Sequence, residues 1–202
     1  ADATATVVAN GGTLPYTFDM GFGPQGTGIF TGLSAGVYTI QIVDGHQCTF
    51  DVGLTISEPT QLVASMTSST DVLCNGDANG GLVFLASGAV SPYTYDIGNG
   101  PQNVGVFNGL AAGNYTCTVT DANGCMVNSS ANVVQPDPLV AVLVDVTDAL
   151  CYGYFDGSIL VDATGGTGFY TFDIGSGPQL FGAFSDLPAS DYEVVIVDQN
   201  SC

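Results

Sequence analysis

Lysine, arginine and tryptophan are missing from the chain, and one histidine stands against 19 acidic residues, which sets the formal net charge at -19 at pH 7. Without Lys or Arg there is no basic partner to pair with those carboxylates. Nucleic acid and anionic membranes are not expected as partners, because both are held by basic side chains that displace counterions. Hard divalent cations remain compatible with such a surface. No run of about 18 apolar residues occurs, so no helix is expected to cross a bilayer and no direct membrane insertion is expected. No secretory signal is visible, and Ala1 reads as an internal cut. Helical periodicity is absent as well. What the sequence does have is 46% hydrophobic residues over 202 positions, enough to bury real cores and too much for a disordered tail.

The dominant feature is an internal repeat. Tyr16, Tyr93 and Tyr170 are spaced by 77 residues, as are Asp19, Asp96 and Asp173, Phe30, Phe107 and Phe184, and Leu33, Leu110 and Leu187. Asp44, Asp121 and Asp198 keep the same spacing, followed by Cys48, Cys125 and Cys202, while Cys74 and Cys151 mark another phase. The register places repeat 1 at residues 1–60, incomplete at its start, repeat 2 at 61–137, and repeat 3 at 138–202, incomplete at its end.

Inside each unit apolar and polar residues alternate with period 2. In 36–44, 113–121 and 190–198 one face carries Tyr38, Ile40 and Ile42, then Tyr115, Cys117 and Val119, then Tyr192, Val194 and Ile196. Such alternation predicts half-buried antiparallel strands. Further strands are expected at 4–9, 16–20, 49–56 and 62–67, each bounded by Gly, Pro, Asn or Asp. The expected fold is all-β: tandem immunoglobulin-like β-sandwiches with a 77-residue period in an extended array. Tyr38, Tyr115 and Tyr192 stand where a tyrosine corner would, although an ordinary core tyrosine would fit the same position.

The combination resembles the SprB-type repeat of Bacteroidetes cell-surface proteins. It reads here as CNGDANGG from Cys74, PYTYD from Pro92, FNGLAAGNYTCTVTDANGC from Phe107 and QPDPL from Gln135. Ala3 departs from the glycine at Gly80 and Gly157, Phe169 from the proline at Pro15 and Pro92, and Gln135 from Glu58. The resemblance implies a very large secreted surface protein, of a kind associated in relatives with adhesion and gliding.

Cysteine spacing follows the period. Cys48 precedes Cys74, and Cys125 precedes Cys151, by 26 residues, each pair joining the end of one unit to the start of the next. Cys48–Cys74 and Cys125–Cys151 are therefore the expected disulfides, each worth roughly 3 to 4 kcal/mol in the chain-entropy model. Cys202 is left with a partner outside the chain. Cys117 is expected to be a buried free thiol. Zinc is not expected, since His46 beside Cys48 is unrepeated. Oxygen-bearing side chains at Asn75, Asp77, Asn79, Asp121 and Asn123 form a candidate calcium site, against the reading that they merely build turns. Asn114 and Asn128 open Asn-x-Ser/Thr sequons on outward strand positions and are candidate glycosylation sites.

No nucleophile, base or electrostatic clamp stands out, no phosphate loop is present, and His46 lies in a turn whose counterparts are Asn123 and Asn200. The chain is expected to be non-catalytic and without a cofactor, save for calcium. Two roles are carried forward: a stalk segment of a surface adhesin, and a protomer of an extracellular fibre. A carbohydrate-binding module is a lesser third. Expected partners are further repeats of the same chain or neighbouring copies in a fibre, with surface glycans or other cells beyond them. The position of the cut within the period implies that the array continues at both ends. The first block then lacks an entering strand and the last a closing one.

Overall fold

The computed structural model describes residues 2–202, and among them there are sixteen β-strands and no helix. The chain divides into two compact units, Ala1–Thr60 and Gln61–Cys202.

Unit 1 holds β1 (Ala3–Thr6), β2 (Thr17–Asp19), β3 (Ile29–Leu33), β4 (Gly36–Val43) and β5 (Thr49–Ile56). β1 pairs with β3, and β2, β4 and β5 form a second antiparallel sheet. Phe18 and Ile40 from the second sheet pack with Phe30 and Leu33 from the first around one core. Two sheets that bury their inner faces against each other make a β-sandwich.

Unit 2 holds two more. β6 (Val63–Thr70), β7 (Gly80–Ser87) and β9 (Val106–Leu110) face β8 (Thr94–Asp96), β10 (Gly113–Thr120) and β11 (Met126–Val133) across a core that includes Leu82, Phe84, Cys117, Val119 and Val133. After it, β12 (Val140–Thr147), β13 (Gly157–Thr164) and β15 (Ala183–Leu187) face β14 (Thr171–Asp173) and β16 (Val195–Val197) around Val161, Phe172 and Phe184. The fold is that of tandem all-β, immunoglobulin-like sandwiches, as the periodicity predicts.

Alternation decides which residues reach each core. Ile40, Cys117 and Val119 are fully buried, while their neighbours Thr39, Asn114 and Thr116 are exposed. The strand expected at 190–198 is shortened to Val195–Val197, because among the described residues it pairs with β14 alone, whereas β4 and β10 are each flanked on both sides. The Phe-x-Gly-Leu segments form strands β3, β9 and β15, which the alternation rule overlooks because each carries a residue with positive φ: Gly32 and Gly109 (both +70°) and Asp186 (+58°). That residue bends the strand, and the pairing with β1, β7 and β13 slips by one position beside it.

Repeated polar side chains hold the turns. Tyr38, Tyr115 and Tyr192 each donate their hydroxyl to the carbonyl four residues upstream, on Ser34, Ala111 and Pro188, all at 2.9 Å. These are tyrosine corners, which settles the alternative left open by the sequence. Asp19, Asp96 and Asp173 each accept the amides two and four residues on, at 2.7 to 3.1 Å, and so fold the glycine turns that follow. Gly28, Gly105 and Gly182 lie so close to the carbonyl oxygens of Val7, Phe84 and Val161 that a Cβ would come within 2.0, 2.1 and 1.9 Å of them.

Candidate functional site: the junction between repeats

The most elaborate polar arrangement in unit 2 lies where its two sandwiches meet, and it starts from one carboxylate. Asp198 accepts the amides of Asn200 and Cys202 on Oδ1, both at 2.9 Å, and that of Thr167 on Oδ2 at 2.8 Å. Asp121 does the same with Asn123, Cys125 and Val90, and Asp44 with His46, Cys48 and Thr13. The four-residue Asp-to-Cys spacing is therefore the size of a turn wound on one carboxylate, which presents the cysteine at its end.

These donors also stabilise the charged form. The Thr13 amide leads in holding Asp44 below the usual carboxylate range, and the Cys202 amide does so for Asp198. Burial pushes Asp121 up, but the amides of Cys125, Val90 and Asn123 outweigh it and the net shift is downward.

Opposite the Asp198 turn stands the loop between β6 and β7. It is clasped to the exit from β11: the Val72 amide donates to Val134 O, the Val134 amide to Asp71 Oδ1, Asn75 Nδ2 to Pro136 O and the Gly76 amide to Gln135 Oε1. The Gly166 amide of the third sandwich donates to Asp137 O, one residue further along. Asn200 Nδ2 then reaches back to Leu73 O at 3.0 Å. Beside this bond Cys74 and Cys202 form a disulfide with their Cα atoms 5.7 Å apart.

This pairing corrects the expected one. Cys74 is bonded to Cys202, 128 residues away, and Cys48, Cys125 and Cys151 are exposed free thiols. Cys48–Cys74 and Cys125–Cys151 do not form, and Cys202 finds its partner inside the chain. The reason is visible in the strands. From Cys125 the chain runs along β11 to the junction and then along β12 away from it. Two consecutive eight-residue strands, each advancing about 25 Å, carry Cys151 far from Cys125. A short sequence separation does not bring the two cysteines together here, because most of the 26 residues between them are extended. The Asp-x-x-x-Cys and Cys-x-Gly motifs were in plain view, but which copies meet depends on the direction of travel through the sandwich.

The remaining candidates are dispersed. Asp121 spends its oxygens on three amides. Asn79 Oδ1 accepts the Leu73 amide, and Asn75 points its amide nitrogen at Pro136. Asp77 Oδ2 meets only Asn79 Nδ2, at 3.5 Å, and Asn123 offers its backbone amide to Asp121. No cluster of three or more His, Cys, Asp or Glu is arranged for a metal among the described residues. Asn114 and Asn128 are exposed on β10 and β11. Cys117 is fully buried and unpaired, and burial raises its thiol pKa.

No curated protein sequence matches the chain. A solved structure described as Sidekick-1 immunoglobulin domains 1-5 aligns at 11% identity and a TM-score of 0.32, covering 83% of this chain, which spans 42% of the length of that one. The family model described as SprB repeat matches residues 66–102 and again residues 143–178. The two matched segments begin one 77-residue period apart, on β6 and β12, and each is similar to the SprB repeat whose motifs the sequence resembles.

Proposed function

We propose that the chain is a load-bearing stalk segment of a cell-surface adhesin, extracellular and without catalytic activity. The observation that carries this reading is the junction. Asp198, Asn200, Cys202, Leu73 and Cys74 exist there to fix one sandwich to the next, and the side chains that recur at the repeat period serve turns and cores. A disulfide between sandwiches suits an oxidising compartment outside the cell. The match to SprB repeats supports a surface role of this kind.

The fibre reading is kept because the internal edge strand β12 exposes Val140, Val142, Leu143, Val144 and Val146, an apolar row on which neighbouring threads could pack. Cells carrying the parent protein separate the two. Antibodies raised against residues 61–202 should label intact cells, with the label lost on external proteolysis and borne on isolated threads. Regular lateral packing of threads would favour the fibre, and label only after lysis would overturn both.

A further inference from the structure

The unbroken 77-residue period lets any surface site be compared across three copies, and the third copy departs from the others at one hollow. Beside β13 and β14 an open hollow of about 560 Å³ is lined by Phe169, Tyr170, Leu180, Phe181 and Asp162 among others. Tyr170 belongs to the repeat. The other four do not: Phe169 stands where the first two copies have Pro15 and Pro92, Leu180 where they have Gly26 and Asn103, Phe181 where they have Thr27 and Val104, and Asp162 where they have Val8 and Leu85.

Three of these changes add apolar bulk to the surface, and the fourth trades an aliphatic side chain for a carboxylate beside it. Phe169 and Phe181 stand 80% and 78% exposed, so neither serves the core. Exposed rings gathered round a hollow mark a contact surface. The hollow offers little for hydrogen bonding. The Tyr170 hydroxyl is spent on Gly165 O at 2.6 Å, and one oxygen of Asp162 accepts the Ala163 amide at 2.8 Å. The second Asp162 oxygen is thereby the one uncommitted side-chain polar atom of the lining among the described residues. A sugar needs several hydrogen-bonding partners and is poorly matched to a single acceptor. A cation on an apolar stem is well matched: the ring faces attract its charge, the walls cover its methylenes, and the carboxylate pairs with its head.

We propose that this hollow docks an arginine side chain presented by a basic segment of another protein. Charge selects the partner. The chain carries a net charge of -19 with neither lysine nor arginine, so its field draws a basic protein, and a second copy of these residues cannot supply the ligand. Arginine fits better than lysine, because its planar guanidinium stacks on aromatic faces, is more weakly hydrated, and turns a fork of donors toward a carboxylate. The proposal goes beyond the stalk reading and does not depend on it: one module of the array gains a lateral partner that the other two are not built to hold.

The test uses the whole 202-residue chain and Nα-acetyl-arginine amide, titrated at constant ionic strength and followed through backbone amide NMR signals. Saturable shifts are expected at Asp162, Gly168 and Gly182, while Leu85, Ser91 and Gly105, at the corresponding places of the second sandwich, stay unmoved. Nα-acetyl-citrulline amide keeps the shape of the probe without its charge and should bind about tenfold more weakly. Phe181→Thr, which matches the first copy at an exposed position, should weaken arginine binding about fivefold, and Asp162→Asn by about as much. Equal affinity for the citrulline probe, shifts of the same size in the second sandwich, or unchanged affinity in both variants would each overturn the proposal. So would maltotriose shifting the same amides where arginine does not.

Discussion

Replacing Cys202 with serine removes the covalent link across the junction and leaves the Asp198 turn able to form. The bridge joins residues 128 apart, and a cross-link at that separation lowers the entropy of the unfolded chain by about 5 kcal/mol at 25 °C. The figure depends little on how unit 2 unfolds. If the third sandwich alone opens while Cys74 stays anchored, the constrained segment is about half as long, which changes the closure term by only about 0.6 kcal/mol. With a urea dependence of about 2 kcal/mol per molar, the midpoint of unit 2 should fall by about 2.5 M. The assay is urea denaturation of the full chain with hydrogen exchange read at β7 and β13, since the chain has no tryptophan to report. Cys125→Ser is the control and should leave the midpoint in place, because Cys125 is free. A shift below about 0.5 M for Cys202→Ser, or a wild-type chain indifferent to reductant, would refute the reasoning.

The turn carboxylates make a pH-dependent contribution whose sign follows from their lowered pKa values. It is fully present above the unfolded carboxylate value near pH 4 and is lost as pH falls through the lower folded value, so the stability gap between wild type and Asp121→Asn should be constant above about pH 4 and narrow below it; a gap that widens on acidification would contradict this. Gly105→Ala should unfold the second sandwich, because a Cβ there would lie 2.1 Å from Phe84 O; a native-like exchange pattern in β7 would count against that geometry. Asp186→Gly should stabilise the third sandwich by about 1 kcal/mol, since Asp186 holds φ of +58° where the other repeats have glycine; thermal melts decide it. Cys117 should alkylate only after unfolding, in contrast to Cys48, Cys125 and Cys151, as mass spectrometry of labelled peptides would show. Calcium titration should not perturb the Asn123 and Cys125 amides, which Asp121 already holds; displacement of either amide signal would overturn this.

Much of the fold was legible because it rests on local alternation. The strand expected at 49–56 is β5 as observed, and the inward set Ile40, Cys117 and Val119 follows from parity alone. The Phe-x-Gly-Leu strands were missed because a positive-φ residue interrupts the alternation. Gln25, Gln102 and Gln179 were missed too, although they recur at the repeat spacing. Each bonds through its backbone to Phe18, Tyr95 or Phe172, and its side-chain amide donates to one carbonyl of the following loop and to the first carbonyl of the strand after it. The disulfide was the least legible element. Pairing of Cys74 with Cys202 depends on β11 and β12 running in series through the junction, and that direction of travel is a property of the assembled sandwiches.

That same covalent link decides how the chain would respond to being pulled. Tension applied between Gln61 and Cys202 would run from Gln61 to Cys74 and then cross directly to Cys202 through sulfur. The backbone between the two cysteines lies off that path. About 440 Å of contour that could otherwise be drawn out is thereby withheld. Only the short stretch of β6 and its following loop can lengthen, by a few tens of ångströms at most, until the disulfide is reduced. Unit 2 would act as a nearly inextensible tie in an oxidising medium and as an extensible spring in a reducing one.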